Sequence, residues 1–128
     1  MSEIVLDASA LLAVLAAEPG WEDVAELVPG AAMSAVNVAE VVGKLADRGM
    51  PEEEIREALG GLGLEVVPFD ESTALAAGML LPETKQHGLS LGDRACLALA
   101  RLRSVPAVTT DRAWANLTLG VEIRVLRP

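Results

Sequence analysis

The chain has 128 residues, 52 % of them hydrophobic, and its 10 Lys plus Arg against 19 Asp plus Glu give a net charge of -9. That length and apolar content suit one domain with a continuous core and exclude disorder over any long segment. The charge excludes a plain basic surface for nucleic acid, unless a divalent cation covers some of the acids and reverses the local field.

The same inventory narrows the chemistry further. The aromatic residues are Trp21, Trp114 and Phe69 without any tyrosine, so bound nucleic acid would not rest on a platform of stacked rings. Cys96 is the sole cysteine and stands in CLALA, a setting for a small buried hydrophobe rather than a metal ligand or reactive thiol. The longest apolar stretch, around residues 8–17, is too short to cross a bilayer, and the N-terminus lacks the basic flank of a secretion signal. The expectation is a soluble cytoplasmic protein with no membrane partner.

Taken in chain order, residues 4–6 read as a short buried strand, and residues 9–17 as an Ala- and Leu-rich helix that stops before Pro19-Gly20. Residues 21–28 suit a second helix, closed by Pro29-Gly30. After residues 31–33, Ser34 is placed to cap a helix running to about Arg48, with Val38, Val41, Val42 and Leu45 along one face. Pro51 followed by EEEIREAL starts another helix, with its acids favoured by the dipole, and Gly60, Gly61 and Gly63 end it. Residues 64–69 are a β-branched run. Asp70 can cap a helix over residues 72–81, with Pro82 near its end. His87-Gly88 reads as a loop, Ser90 as the cap of a helix reaching about Arg103, and residues 107–110 and 121–126 as strands. Strands separated by helices imply an α/β fold with a mostly parallel central sheet and helices on both faces.

Ligands gather at the carboxyl ends of the strands of such a sheet. Asp7 ends the first strand and Asp111 follows the strand AVTT. Each also has a purely structural reading, Asp7 as an Asx-type cap of the next helix and Asp111 as a turn residue before RAW. Glu40, in SAVNVAEVVGKL, projects away from the valine stripe and can pair with Lys44 one turn on, or be aimed at the strand ends. Asp93, in LSLGDRACLALA, has capping-box spacing from Ser90, at a helix N-terminus that also favours an anionic ligand.

The order of these acids carries a resemblance. The segments IVLDASALLAVL, SAVNVAEVVGKL, GLSLGDRACLALA and AVTTDRAWANL are similar to the successive motifs of PIN-domain nucleases, most closely the VapC-type toxins of bacterial toxin-antitoxin pairs. The likeness covers essentially the whole chain and implies a single PIN-like domain over residues 1–128, a three-layer α/β/α fold. It implies that Asp7, Glu40, Asp93 and Asp111 are the acidic catalytic and metal-binding set, with Asp111 either a direct ligand or one that acts through water. Ser9 and Thr109 fall where the family often has hydroxyls beside the acids. Arg94 and Arg112 each follow a site acid and are candidates for substrate phosphates or for plain surface arginines.

Oxygen-only donors suit Mg²⁺ or Mn²⁺, which neutralise the acids and activate a water for attack on a phosphodiester. The resemblance therefore implies an endoribonuclease, the toxin of a type II toxin-antitoxin system, leaving 5′-phosphate and 3′-hydroxyl ends. It also implies an RNA substrate, a homodimer and a cognate VapB-type antitoxin, which the net negative charge would attract if basic. His87, the only histidine, is not needed by this scheme.

Other readings stay open from the residues. A PIN nuclease of RNA processing outside a toxin-antitoxin pair would look much the same, and a non-catalytic, acidic metal-binding regulatory module is a further alternative. Phosphoryl transfer to Asp7 would want an acid two residues on, where Ser9 stands, and receiver-like signalling would want a lysine among residues 107–111, where none occurs.

Overall fold

A computed structural model describes residues 3–126. Five short parallel strands form one sheet in the order β3-β2-β1-β4-β5: β1 (Val5–Leu6), β2 (Ala32–Ser34), β3 (Glu65–Val67), β4 (Ala107–Thr109) and β5 (Ile123–Val125). Val5 is in register with Ala32 on one side and Ala107 on the other, which makes β1 the central strand. The helices are α1 (Ala8–Leu15), α2 (Trp21–Ala25), α3 (Ala35–Asp47), α4 (Glu52–Gly60), α5 (Glu71–Met79), α6 (Leu81–Thr84) and α7 (Leu91–Arg103).

Alternation along each strand feeds two cores. Ile4, Leu6, Met33 and Val108 point to the face covered by α1 to α4, against Leu11, Val24, Val41, Leu45 and Ile55. Val5, Ala32 and Ala107 point the other way, onto Ala77, Leu97 and Trp114. The three-layer α/β/α arrangement follows, because a parallel sheet buried on both faces needs helices on both. Among the described residues, no helix is long and apolar enough to span a membrane.

Three elements depart from what the sequence pattern suggests. β2 is a strand although AMS has no β-branched residue; all three residues are buried, and pairing with both neighbours decides their conformation. The helix expected over 21–28 ends at Ala25, and isolated turns carry the chain from Val24 to Val28. The helix expected over 72–81 ends at Met79, and the chain restarts as α6 around Pro82, whose ring nitrogen has no proton to give the preceding turn. In addition, a 3₁₀ turn over Arg112–Asn116 buries Trp114, a feature that no hydrophobic period in this short segment suggests.

In this wound arrangement α1 and α3 begin at the carboxyl ends of β1 and β2, and α7, antiparallel to the β4 that it precedes, begins at the same edge. After β1 the chain builds toward β2 and β3, then returns to place β4 on the opposite side of β1. The strand order reverses between β1 and β4, which is where open α/β sheets form their crevice.

Leu97 on α7 is fully buried and Leu102 on the same helix is 55 % exposed. Leu97→Ala is expected to lower unfolding free energy by about 2–5 kcal/mol, whereas Leu102→Ala, in protein dilute enough to be monomeric, stays within about 0.5 kcal/mol. Urea unfolding midpoints check both.

Candidate active site at the sheet switch point

Asp7 leaves β1 and immediately caps α1. Its Oδ1 accepts from the Ala10 amide at 2.8 Å and from the Ser9 hydroxyl at 2.8 Å, while Oδ2 accepts from the Thr109 hydroxyl at 2.6 Å. Thr109 Oγ1 in turn accepts from the Asp111 amide, and Ser9 Oγ accepts from the Thr110 amide at 3.1 Å. One carboxylate thus ties the end of β1 to the end of β4. Asp7 is only 4 % exposed, and burial lifts its pKa from the ordinary 3.8 to about 6, against the opposing effect of its three donors. The charge of Asp93 adds to the rise.

The second half of the site comes from α3 and α7. Glu40 is not paired with Lys44; its Oε1 accepts from the Asn37 side-chain amide at 2.9 Å, one turn earlier on α3. The same amide nitrogen donates to the Gly92 carbonyl on α7 at 3.0 Å. The Glu40 carboxylate lies over Gly92 so closely that a Cβ there would collide with its oxygens. Asp93, next along, completes a capping box: its carboxylate accepts from the Ser90 amide at 3.0 Å and its own amide donates to Ser90 Oγ at 3.1 Å.

Asp7, Glu40 and Asp93 all act electrostatically on the buried thiol of Cys96 on α7. Burial pushes that thiol well above its ordinary range, and the three carboxylates push it further in the same direction. Cys96 is a buried, inert filler, as CLALA suggests. Asp111 stands apart. It is exposed, and its carboxylate accepts from the Ala113 amide at the start of the 3₁₀ turn. With Ser9, Thr110 and Arg112 it lines an open cleft of about 490 Å³.

The structural readings of Asp7, Asp93 and Asp111 as caps are therefore all realised, and they coexist with convergence at one edge. Arg94 is turned inward: Nη1 donates to the Ala77 carbonyl near the end of α5, and its buried Nε has no partner among the described residues. Arg112 is exposed beside the cleft, and His87 is exposed in the turn between α6 and α7. Asn37 and Gly92 belong to the site although no motif argument picks them out. Asn37 is a polar residue on the packed side of an amphipathic helix, a legible signal; the role of Gly92 depends on a helix distant in sequence.

As to a metal, every donor is an oxygen, which suits a hard cation. Asp7 has spent three of roughly four carboxylate acceptor positions, and none of the three central acids forms an ion pair among the described residues. As placed, Asp93 bends back to the Ser90 amide, and among the described residues no three His, Cys, Asp or Glu side chains stand close enough to grip an ion. The donor chemistry fits Mg²⁺ or Mn²⁺, with the Asp93 carboxylate held in its cap.

A parallel sheet carrying carboxylates at the edge where its strand order reverses defines an α/β protein with an acidic site at its switch point. The PIN domain family model matches residues 4–118, and the chain belongs to that family. The fold is similar to DNA-bound VapBC from Salmonella typhimurium, with a TM-score of 0.76 at 19 % identity, covering 98 % of this chain and 99 % of that one. It is also similar to a toxin-antitoxin complex from Klebsiella pneumoniae, with a TM-score of 0.71 at 20 % identity over 94 % and 99 % of the two chains. Mycobacterium tuberculosis VapC20, a sarcin-ricin loop cleaving toxin, shares the fold with a TM-score of 0.70 at 19 % identity over 93 % and 98 %. Comparison with curated protein sequences finds no match.

Asp7 holds its proton more tightly folded, near 6, than unfolded, at 3.8, so stability falls as pH rises through that window. In metal-free protein the full penalty, about 3 kcal/mol, is present above pH 6 and absent below about pH 4. Urea unfolding in EDTA at pH 4 and pH 7 should show Asp7→Asn gaining on the wild type by about that amount over the interval.

Proposed function

We propose that this chain is a divalent-metal-dependent endoribonuclease, the toxin of a type II toxin-antitoxin pair. The observation that carries the reading is the buried Asp7 carboxylate at the switch point, hydrogen-bonded on three sides, without a cationic partner among the described residues and feeling the charge of Asp93. Ionised at neutral pH, such a group carries an uncompensated cost, and a divalent cation is a counter-charge that oxygen donors suit. Membership of the PIN family and the shared fold with VapC-type toxins support nuclease chemistry and the toxin role.

Asp7, Glu40 and Asp93 would hold Mg²⁺ or Mn²⁺, with Asp111 completing the set from the cleft side. When bound, such an ion neutralises the acids, polarises a phosphodiester and makes a bound water acidic enough to attack. The chain's own contribution is preorganisation. Ser9 and Thr109 fix the Asp7 carboxylate by donating to it, which favours its ionised form and sets its plane. Arg112, exposed beside the open cleft, would meet a substrate phosphate, whereas Arg94 is occupied with α5. The net charge of -9 opposes RNA binding until the acids are neutralised.

The partners of this reading are a cognate VapB-type antitoxin and a second copy of the chain. α5 exposes Leu75 (69 %) and Met79 (66 %), and Leu102 on neighbouring α7 extends the apolar strip. A second copy covering that strip would remove it from water. Met79→Lys is expected to shift the protein from dimer to monomer in light scattering.

The activity test is cleavage of structured RNA with Mg²⁺ or Mn²⁺. Cutting is expected with either ion, none in EDTA, and a loss of at least about a hundredfold in Asp7→Asn and in Asp93→Asn, the scale on which removing a preorganised electrostatic group acts. Cleavage that persists in EDTA would overturn the scheme.

A further inference from the structure

We propose that Asn37 is a positioning residue that holds Glu40 in place for the cation, a role that rests on the metal-dependent reading above. Asn37 lies in the first turn of α3 and is 1 % exposed. Its side-chain NH₂ has two protons, and two acceptors stand where those protons point: Glu40 Oε1 at 2.9 Å and the Gly92 carbonyl at 3.0 Å. The amide orientation is fixed by this arrangement, because the flipped amide would set its oxygen against two other oxygens.

Both contacts serve one end. The bond to Gly92 locks α3 to the first turn of α7 across a separation of 55 residues, so the helices that carry Glu40 and Asp93 cannot slide independently. The bond to Glu40 fixes a carboxylate that is otherwise on an exposed stretch of helix, with no ion pair among the described residues to hold it. Gly92 supplies the remaining condition, since any Cβ at that position would occupy the space of the Glu40 oxygens. A neutral double donor suits this point. A lysine would neutralise Glu40 and compete with the cation, and an aspartate would repel it.

Asn37 Oδ1 is buried and has no partner among the described residues. A polar side chain that leaves its own oxygen unpaired at a core position is retained for what its nitrogen does, since an apolar residue of similar size would fill the volume without leaving a buried acceptor unpaired.

The test is calorimetric titration of the full chain with Mn²⁺, with thermal unfolding in EDTA as the measure of the scaffold. Asn37→Ala should weaken Mn²⁺ binding about tenfold or more, the scale on which partners of metal ligands act, and Asn37→Leu, which refills the volume, should do the same with a melting temperature closer to the wild type. In a Glu40→Gln background, Asn37→Leu should weaken Mn²⁺ binding by clearly less than in the wild-type chain, because the larger part of its effect passes through Glu40 and only the lock between α3 and α7 is left to lose. Wild-type affinity in a folded Asn37→Leu protein, or a full additional loss in the Glu40→Gln background, would overturn the assignment of Asn37 while leaving the metal reading intact. A wild-type chain that binds no Mn²⁺ would overturn the metal reading and this proposal with it.

Discussion

A carboxylate at the end of the central strand sets the terms for this protein. Asp7 is nearly inaccessible, yet it follows two fully buried strand residues and starts a helix that packs on the core. Three donors, from Ala10, Ser9 and Thr109, compensate it in part; its raised pKa shows the part left over. The residual cost depends on charge, so it is removed by a proton or by a cation. At neutral pH the proton is mostly gone, and the cost is carried in full.

The fold makes that cost possible to bear. Winding the sheet from β1 outward in both directions leaves a crevice between β1 and β4, and the hydroxyls of Ser9 and Thr109 bridge it. Those bridges are structural as well as electrostatic, since they join strands that are a hundred residues apart in the chain. On the other side, α3 and α7 meet through Asn37 and Gly92, which sets Glu40 against the first turn of α7 that carries Asp93. Apart from Glu40, which lies in the middle of α3, the acids of the site sit at caps and helix starts, positions where the backbone already offers unpaired amides to acids.

That double use explains why single acids are poor evidence in the sequence. Asp7, Asp93 and Asp111 each make the capping bond that their spacing suggests, so the local pattern has a full structural account in every case. Glu40 is different, because the solvent pairing with Lys44 that spacing allows is not made and the buried Asn37 takes its place. Asn37 interrupts the packed face of α3, and such an interruption is legible in the order of residues along one helix; its partner in α7 is not. The same limit applies to β2, whose three residues have weak strand preference and become a strand through pairing with β1 and β3.

Alternating apolar segments, the caps at Ser34, Asp70 and Ser90, and the order of the four acids determine an α/β chain with carboxylates at its strand ends and helix starts. These are local properties, set by hydrophobic period and by backbone amides that need acceptors. Only the tertiary structure decides that Glu40 lies over Gly92 next to Asp93, that the charge of Asp93 reaches Asp7, that Asp111 keeps to the cleft margin and that Arg94 turns inward to α5. These placements depend on the order in which strands join the sheet and on one amide bridging two helices, and both are contacts between residues too distant in the chain for spacing to encode.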